Sequence, residues 1–430
     1  MINTELYEHQ KQALLETSNL NRVAYYHDMG LGKTFTGSEK MIQLDTKVNL
    51  IVCQKSKIKD WIQHFEKYYK YHVCDLTKSE SLNEFFGKSL SEKYHIVGII
   101  NYDLVWRRTE IKTLRNFTLL LDESSLIQNE TAKRSKFILR LQPKNVILLS
   151  GTPTGGKYEK LWSQLHLLGW PISKKLYWRQ YINTEVLDNE GYPIIIVKGY
   201  KNVDRLKRKM RQFGCNFLKT EEVLSLPEQI DQTIRIDTTA AYRKFQKTAI
   251  VEINDDTTIG NKITLVGDTA LTKMLKERQL CGQYNEYKLT AFQDLLESTD
   301  DRLIVFYNFT EELARMRAIV NEMNREWSLV NGERKDLTCY ENFNNSVTFV
   351  QYQAGAMGLN LQKANKIIYF TPPLSSEFFE QSKKRIHRIG QQNTCFYYYL
   401  TCRNSIEEKI YETLALRKDY TEALFEKGKT

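Results

Sequence analysis

The chain has 430 residues, too many for one ordinary domain, and its 41% hydrophobic and 27% charged residues exclude a disordered polymer. Lys and Arg total 62 against 52 Asp and Glu, a formal net charge of +10 that permits a polyanionic partner without identifying one. Seven cysteines with no CxxC pair argue against a disulfide framework or a zinc site, and no apolar run reaches the roughly 18 residues of a membrane span.

The N-terminal MINTELYEHQ lacks the apolar stretch of a signal peptide. A soluble chain in a reducing cytoplasm, with no membrane partner, is therefore expected. In chain order, β-rich runs at 23–26, 49–53, 96–100, 118–121 and 146–149 alternate with stretches of helical length. From about 158 to 286 the pattern changes to charged and aromatic stretches that read as helices, such as 203–213 and 239–253. The strand-like runs resume at 303–307, 347–351, 366–370 and 396–401. Runs rich in Val, Ile, Leu and Tyr separated by helical lengths indicate an α/β fold, with parallel sheets covered on both faces, and the architecture occurs twice.

The strongest motif is Asp28-Met29-Gly30-Leu31-Gly32-Lys33-Thr34, which follows the first strand and opens a helical stretch. Gly30 and Gly32, with Met29 and Leu31 between and beside them, let backbone N–H groups close on phosphate oxygens at a helix N-terminus. Lys33 is placed to reach the β and γ phosphates, and the Thr34 hydroxyl to coordinate Mg²⁺. The strict pattern has Gly where this chain has His27. The strand at 118–121 delivers Asp122-Glu123 at its C-terminal end, where such sheets bind ligands. Asp122 can hold the metal, and Glu123 can orient and deprotonate an attacking water. After the next strand, Ser150-Gly151-Thr152-Pro153 offers small hydroxyls to the acidic pair, although alone it reads as a turn.

With these motifs in series, the chain resembles the Swi/Snf-type ATPases of helicase superfamily two, from Leu6 to about Lys418. The most specific match is Gln381-Ser382-Lys383-Lys384-Arg385-Ile386-His387-Arg388-Ile389-Gly390-Gln391. Arg385 and Arg388, three apart, would face the same way on a helix and reach the triphosphate from the second half of the chain. Leu6-Tyr7-Glu8-His9-Gln10 resembles the family's adenine-reading segment, with Gln10 as the reader. Gln353-Ala354-Gly355-Ala356-Met357-Gly358-Leu359-Asn360-Leu361 resembles the segment that couples nucleotide to DNA, and places Gly358 at the nucleotide. Asn101-Tyr102-Asp103 resembles a DNA-contacting motif, and the resemblance adds DNA contacts at Lys55, Asn308, Gln353 and Asn360.

The resemblance implies two RecA-like lobes in tandem with helical insertions. The first is expected at 1–226, with a protrusion at about 158–216. The second is expected at 227–430, with an insertion at about 238–285 and a C-terminal helix at about 404–427. It further implies ATP and Mg²⁺ as cofactors and sequence-nonspecific double-stranded DNA as partner. The activity implied is an ATP-driven DNA translocase acting as a monomer. A strand-separating helicase or RNA-stimulated ATPase is the alternative, and a non-catalytic DNA-binding scaffold the least favoured. Three departures stand out: Asp122-Glu123-Ser124-Ser125 in place of Asp-Glu-Ala-His, His27-Asp28 in place of Asp-Glu, and Thr371-Pro372-Pro373-Leu374 in place of the Trp-Asn-Pro element. The short chain reads as a bare motor of a bacterium, phage or mobile element. The basic residues Arg179, Lys207, Arg208, Lys209 and Arg211 form a DNA-facing protrusion or a solvated face.

Overall fold

All nine β-rich runs become strands, with ends that shift by no more than a residue or so. The computed structural model describes residues 5–89, 95–189, 192–223, 225–254, 262–355 and 359–425. The chain divides into two compact units, Met1–Leu224 with Asp419–Thr430, and Ser225–Lys418.

The first unit contains β1 (Arg22–His27), β2 (Val48–Cys53), β3 (His72–Asp75), β4 (Ile96–Asn101), β5 (Phe117–Asp122), β6 (Asn145–Leu149), the hairpin β7 (Ile182–Asn189) and β8 (Tyr192–Tyr200), and β9 (Cys215–Leu218). Seven of these form one sheet in the order β3-β4-β2-β5-β6-β1-β9, parallel throughout. The central strands β2 and β4 are buried at every position, which is why they read as continuous apolar runs rather than alternating ones. Separate apolar clusters cover the two faces. One is built around Phe85, Phe117 and Leu165, the other around Trp61, Phe65 and Ile147.

The second unit contains β10 (Gln229–Ile236), the hairpin β11 (Ile250–Asn254) and β12 (Lys262–Val266), β13 (Leu303–Tyr307), β14 (Trp327–Val330), β15 (Lys335–Asp336), β16 (Val347–Gln351), β17 (Lys366–Tyr369) and β18 (Cys395–Cys402). Its sheet runs β10-β18-β17-β13-β16-β14-β15, parallel except for the β14–β15 pair. Both units are thus RecA-like lobes, each a parallel sheet between helical layers.

The passages expected to be helical are mixed. Helices Lys174–Tyr181 and Val203–Gln212 flank the antiparallel β7–β8 hairpin. The stretch 239–253 is not one helix: Ala240–Thr248 ends where Ala249 turns left-handed at φ 56, and Ile250–Asn254 then pairs with Lys262–Val266. Ile250, Val251 and Ile253 are β-branched, which favours the strand once the helix has stopped. The C-terminal helix spans Ile406–Phe425. Among the described residues no helix is long and apolar enough to cross a membrane.

Candidate nucleotide-binding site

Strands β5, β6 and β1 are neighbours in the first sheet, so the loops leaving their C-terminal ends converge. These loops carry Asp122-Glu123, Ser150-Gly151-Thr152-Pro153 and the glycine loop respectively. Gly30 and Gly32 adopt φ 86 and φ 70, conformations a side chain resists, and helix Lys33–Gln43 begins directly after Gly32. Phe35 N and Thr36 N donate to the Gly32 carbonyl at 3.0 and 3.3 Å, and the dipole of the helix favours an anion at this end. Lys33 Nζ donates to the carbonyls of His27 at 2.9 Å and Asp28 at 3.1 Å. Gly151 lies against this loop: a Cβ there would sit 3.2 Å from Met29 Cγ and 3.5 Å from Lys33 Nζ.

The loop is braced from two sides. Gln10, buried in helix Glu8–Glu16, donates through Nε2 to the carbonyls of Gly32 at 3.1 Å and Leu31 at 3.3 Å. Its Oε1 accepts from Tyr7 N at 2.9 Å. His9 Nε2 lies 3.0 Å from the Leu31 carbonyl. On the other side, Thr220 donates its backbone N–H and hydroxyl to Asp28 Oδ2 at 3.1 and 3.2 Å. Burial pushes the His27 imidazole down to about 3, with the Lys33 charge adding to the effect, so it is neutral at physiological pH. Its Nε2 pairs with Asn216 Oδ1 at 2.7 Å. Where the strict pattern has glycine, this chain therefore has a neutral, hydrogen-bonded histidine.

Trp61, on helix Ile58–Tyr68, donates Nε1–H to Asp122 Oδ2 at 2.9 Å. Burial pushes the Asp122 carboxyl above its ordinary value, and the Trp61 hydrogen bond and the charges of Lys33 and Lys57 partly offset this. The half-buried Asp122 carboxylate and the half-buried Thr34 hydroxyl are hard oxygen donors of the kind that suits Mg²⁺. Glu123 is left-handed at φ 54, a strained setting for a residue with a side chain. Ser150 Oγ donates to Glu123 Oε2 at 3.4 Å, and Tyr102 OH donates to the carbonyl of Asp122 at 2.9 Å.

In the second unit, helix Ser376–Lys383 stops before the two arginines, so they do not share a helical face. Leu361 N donates to the Arg385 carbonyl at 3.2 Å, and Tyr397 OH donates to the carbonyl of Lys383, the last residue of that helix, at 3.1 Å. Arg385 is buried, whereas Arg388 is half-buried and donates to the Leu359 carbonyl at 3.4 Å. His387 pairs with the Pro227 carbonyl at 2.9 Å. Gln391 Nε2 donates to the carbonyls of Ala364, Gln362 and Ile386.

A model of the SNF2-related domain matches residues 18–286, and one of the helicase conserved C-terminal domain matches residues 287–390. The chain belongs to the SNF2-related family. An uncharacterized ATP-dependent helicase of Mycoplasma pneumoniae is 23% identical over 91% of this chain and 39% of its own length. The ISWI chromatin-remodeling complex ATPase ISW1 of Saccharomyces cerevisiae is 23% identical over 97% of this chain and 40% of its own length. The chain thus spans about two fifths of these curated relatives. The solved SWI2/SNF2 ATPase core of Sulfolobus solfataricus in complex with dsDNA is 19% identical, with a TM-score of 0.45, over 98% of this chain and 93% of that one.

Within this SNF2-related chain, Met29, Gly30, Leu31, Gly32, Lys33, Thr34, Asp122 and Glu123 lie on the converging loops of the first unit. Gln10 bonds to the glycine loop itself, so one lone pair of Oε1 is what it retains for a base. Gly358 lies outside the described residues. The residues expected to contact DNA differ in exposure. Asn101 and Tyr102 are 7% and 2% exposed, and the Tyr102 hydroxyl donates to the backbone carbonyl of Asp122. The Asn308 amide is likewise engaged, donating to Thr371 Oγ1 at 2.8 Å and the Pro372 carbonyl at 3.1 Å. Lys55, Gln353 and Asn360 are exposed. Sequence reasoning missed the bracing residues Asn216 and Thr220. Asn216 stands between Cys215 and Phe217 and Thr220 between Lys219 and Glu221, and no spacing marks either.

Proposed function

We propose that this chain hydrolyses ATP to drive movement along double-stranded DNA. The observation that carries this reading is the convergence of Lys33, Asp122-Glu123 and Ser150 at the ends of three adjacent parallel strands. Lys33 is already held by two carbonyls, and its ammonium exchanges them for β and γ phosphate oxygens at little cost in reorganisation. The N–H groups of the glycine loop and the start of helix Lys33–Gln43 take further phosphate charge. Thr34 and Asp122 would hold Mg²⁺, which supplies charge neutralisation on the phosphates when bound.

Glu123 takes a proton from water as its oxygen attacks the γ phosphorus. The bond from that phosphorus to the bridging oxygen breaks, leaving ADP and phosphate. Ser150, bonded to Glu123, orients the carboxylate toward that water. Arg385 and Arg388 are proposed to meet the triphosphate from the second unit, so that the nucleotide favours closure and its hydrolysis releases it. The DNA contacts proposed are to phosphates, at Lys55, Gln353 and Asn360, and carry no sequence information. The family membership, the exposure of these three residues and the net charge of +10 support a DNA substrate.

The test is ATP turnover by the full chain alone, with duplex DNA and with single strands. Stimulation by duplex above single strands is expected, and equal turnover without nucleic acid would sink the motor reading. Displacement of a triplex-forming strand, without unwinding of a forked duplex, is the expected signature of translocation. The reverse pattern makes the chain a strand-separating helicase.

A further inference from the structure

Gln164 lies in helix Trp162–Leu167 and is fully buried. Its Oε1 accepts from Ser124 Oγ at 2.7 Å and from Tyr26 OH at 3.0 Å, and its Nε2 donates to the Pro153 carbonyl at 2.7 Å. The three partners stand on or directly beside the three loops of the nucleotide site. Ser124 directly follows Asp122-Glu123, Pro153 ends Ser150-Gly151-Thr152-Pro153, and Tyr26 stands two residues before the glycine loop at Asp28. A leucine would fill this volume with no polar partner to satisfy, so a buried carboxamide here demands three bonds at once. The position next to the acidic pair also matters. The Asp-Glu-Ala-His pattern has alanine where this chain has Ser124, and an alanine has no hydroxyl to give to Gln164.

Resting on the ATP-hydrolysis reading above, we propose that Gln164 is a positioning residue that fixes the three loops relative to one another through Ser124, Tyr26 and Pro153. A displacement of the glycine loop or of Ser150–Pro153 on nucleotide binding is carried through one rigid amide to the backbone that aims Glu123. Ser124 and Gln164 together supply a connection between the acidic pair and the Ser-Gly-Thr-Pro loop, through bonds of 2.7 Å on each side. The direct Ser150–Glu123 bond, at 3.4 Å, is longer than either of these.

The experiment is steady-state ATP turnover of the full chain on duplex DNA, comparing wild type, Gln164→Leu, Ser124→Ala and the double variant. Gln164→Leu is expected to lower kcat about 10-fold while KM for ATP stays within about 2-fold, since aim is lost and binding is not. Ser124→Ala is expected to lower kcat by less. The double variant should be no slower than Gln164→Leu, because both changes cut one link. Tryptophan-fluorescence melts establish that each variant is folded at the assay temperature. A folded Gln164→Leu with kcat within 2-fold of wild type overturns the proposal, as do single effects that multiply in the double variant. Should Gln164→Leu fail to fold, Ser124→Ala decides alone, and unchanged kcat there overturns it. A wild-type chain without ATP turnover removes the functional reading and this proposal with it. An active wild type with unaffected variants removes the positioning role only.

Discussion

Replacing Gly32 by alanine tests whether the glycine loop is held by Gln10. Gly32 has φ 70, and an added Cβ would lie 2.3 Å from Gln10 Nε2, far inside contact distance. The left-handed backbone costs a non-glycine residue roughly 1–2 kcal/mol. Gln10, pushed aside, leaves its bonds to Leu31 and Gly32, and unsatisfied buried polar groups cost roughly 1–3 kcal/mol. The sum for Gly32→Ala is about 2–5 kcal/mol, a large part of the usual 5–15 kcal/mol of a domain. Gln10→Ala alone should cost only the hydrogen-bond share. Because the alanine at 32 already removes those bonds, the double variant should fall short of additivity by about 1–3 kcal/mol. Urea unfolding followed by tryptophan fluorescence is a suitable assay, since Trp61, Trp106, Trp162, Trp170 and Trp178 lie in the first unit and Trp327 in the second. Strictly additive losses would refute the clamp, and so would a Gly32→Ala chain as stable as wild type.

Three further outcomes follow from the geometry. Glu123→Gln should leave binding of a fluorescent ATP analogue intact and slow single-turnover hydrolysis by about 10²–10⁴-fold, and normal hydrolysis would remove Glu123 as the base. Arg388→Ala should likewise retain nucleotide binding but lose on the order of 10³-fold in turnover, and a wild-type rate would end its assignment to the triphosphate. Glu312 is buried, and desolvation raises its carboxyl from 4.5 to about 7 against the donors of Asn308, Phe309 and Thr371. Its folded-state proton affinity exceeds the unfolded one, so its stability contribution is full below pH 4.5 and is lost as pH rises through 7. Glu312→Gln, neutral throughout, should remove roughly 3 kcal/mol of that pH dependence, visible as a smaller fall in melting temperature between pH 5 and pH 8. Parallel melting curves for the two proteins across this range would contradict the assignment.

Long buried strands were legible because parallel sheets bury both faces, so their residues form unbroken apolar runs such as 48–53 and 96–101. Short or edge strands were not. His72–Asp75 and Cys215–Leu218 have four residues each, and Gln229–Ile236 is exposed along most of its length, so neither length nor apolarity marks them. The hairpins hid for a different reason. Their strands mix β-branched residues with Asn, Asp, Glu and Lys inside charged stretches, a composition open to a solvated helix or a solvated strand, and pairing with a partner strand decides between them. The Asp122-Glu123 pair and the glycine loop could be read because they are contiguous. Gln10, Trp61, Asn216 and Gln164 act on them from distant points in the sequence, and tertiary structure alone brings these side chains to the loops.

The most diagnostic string, 381–391, shows how a motif and its chemistry differ. Three apart in sequence suggested one helical face for Arg385 and Arg388, yet the helix ends at Lys383 and the arginines differ in burial. What sets their positions is the rest of the motif. His387 is tied to Pro227, while Gln391 gathers three carbonyls and accepts from the backbone of Gln392 and Asn393. Gly390 at φ 95 permits the turn between them. Histidine and glutamine therefore have fixed places because a non-helical turn has backbone groups that need partners. The arginines have fixed places because that turn presents them. A motif of this kind is long because most of its residues hold the few that act, and the same division separates Gln10, Trp61 and Gln164 from Lys33, Asp122 and Glu123 in the first unit.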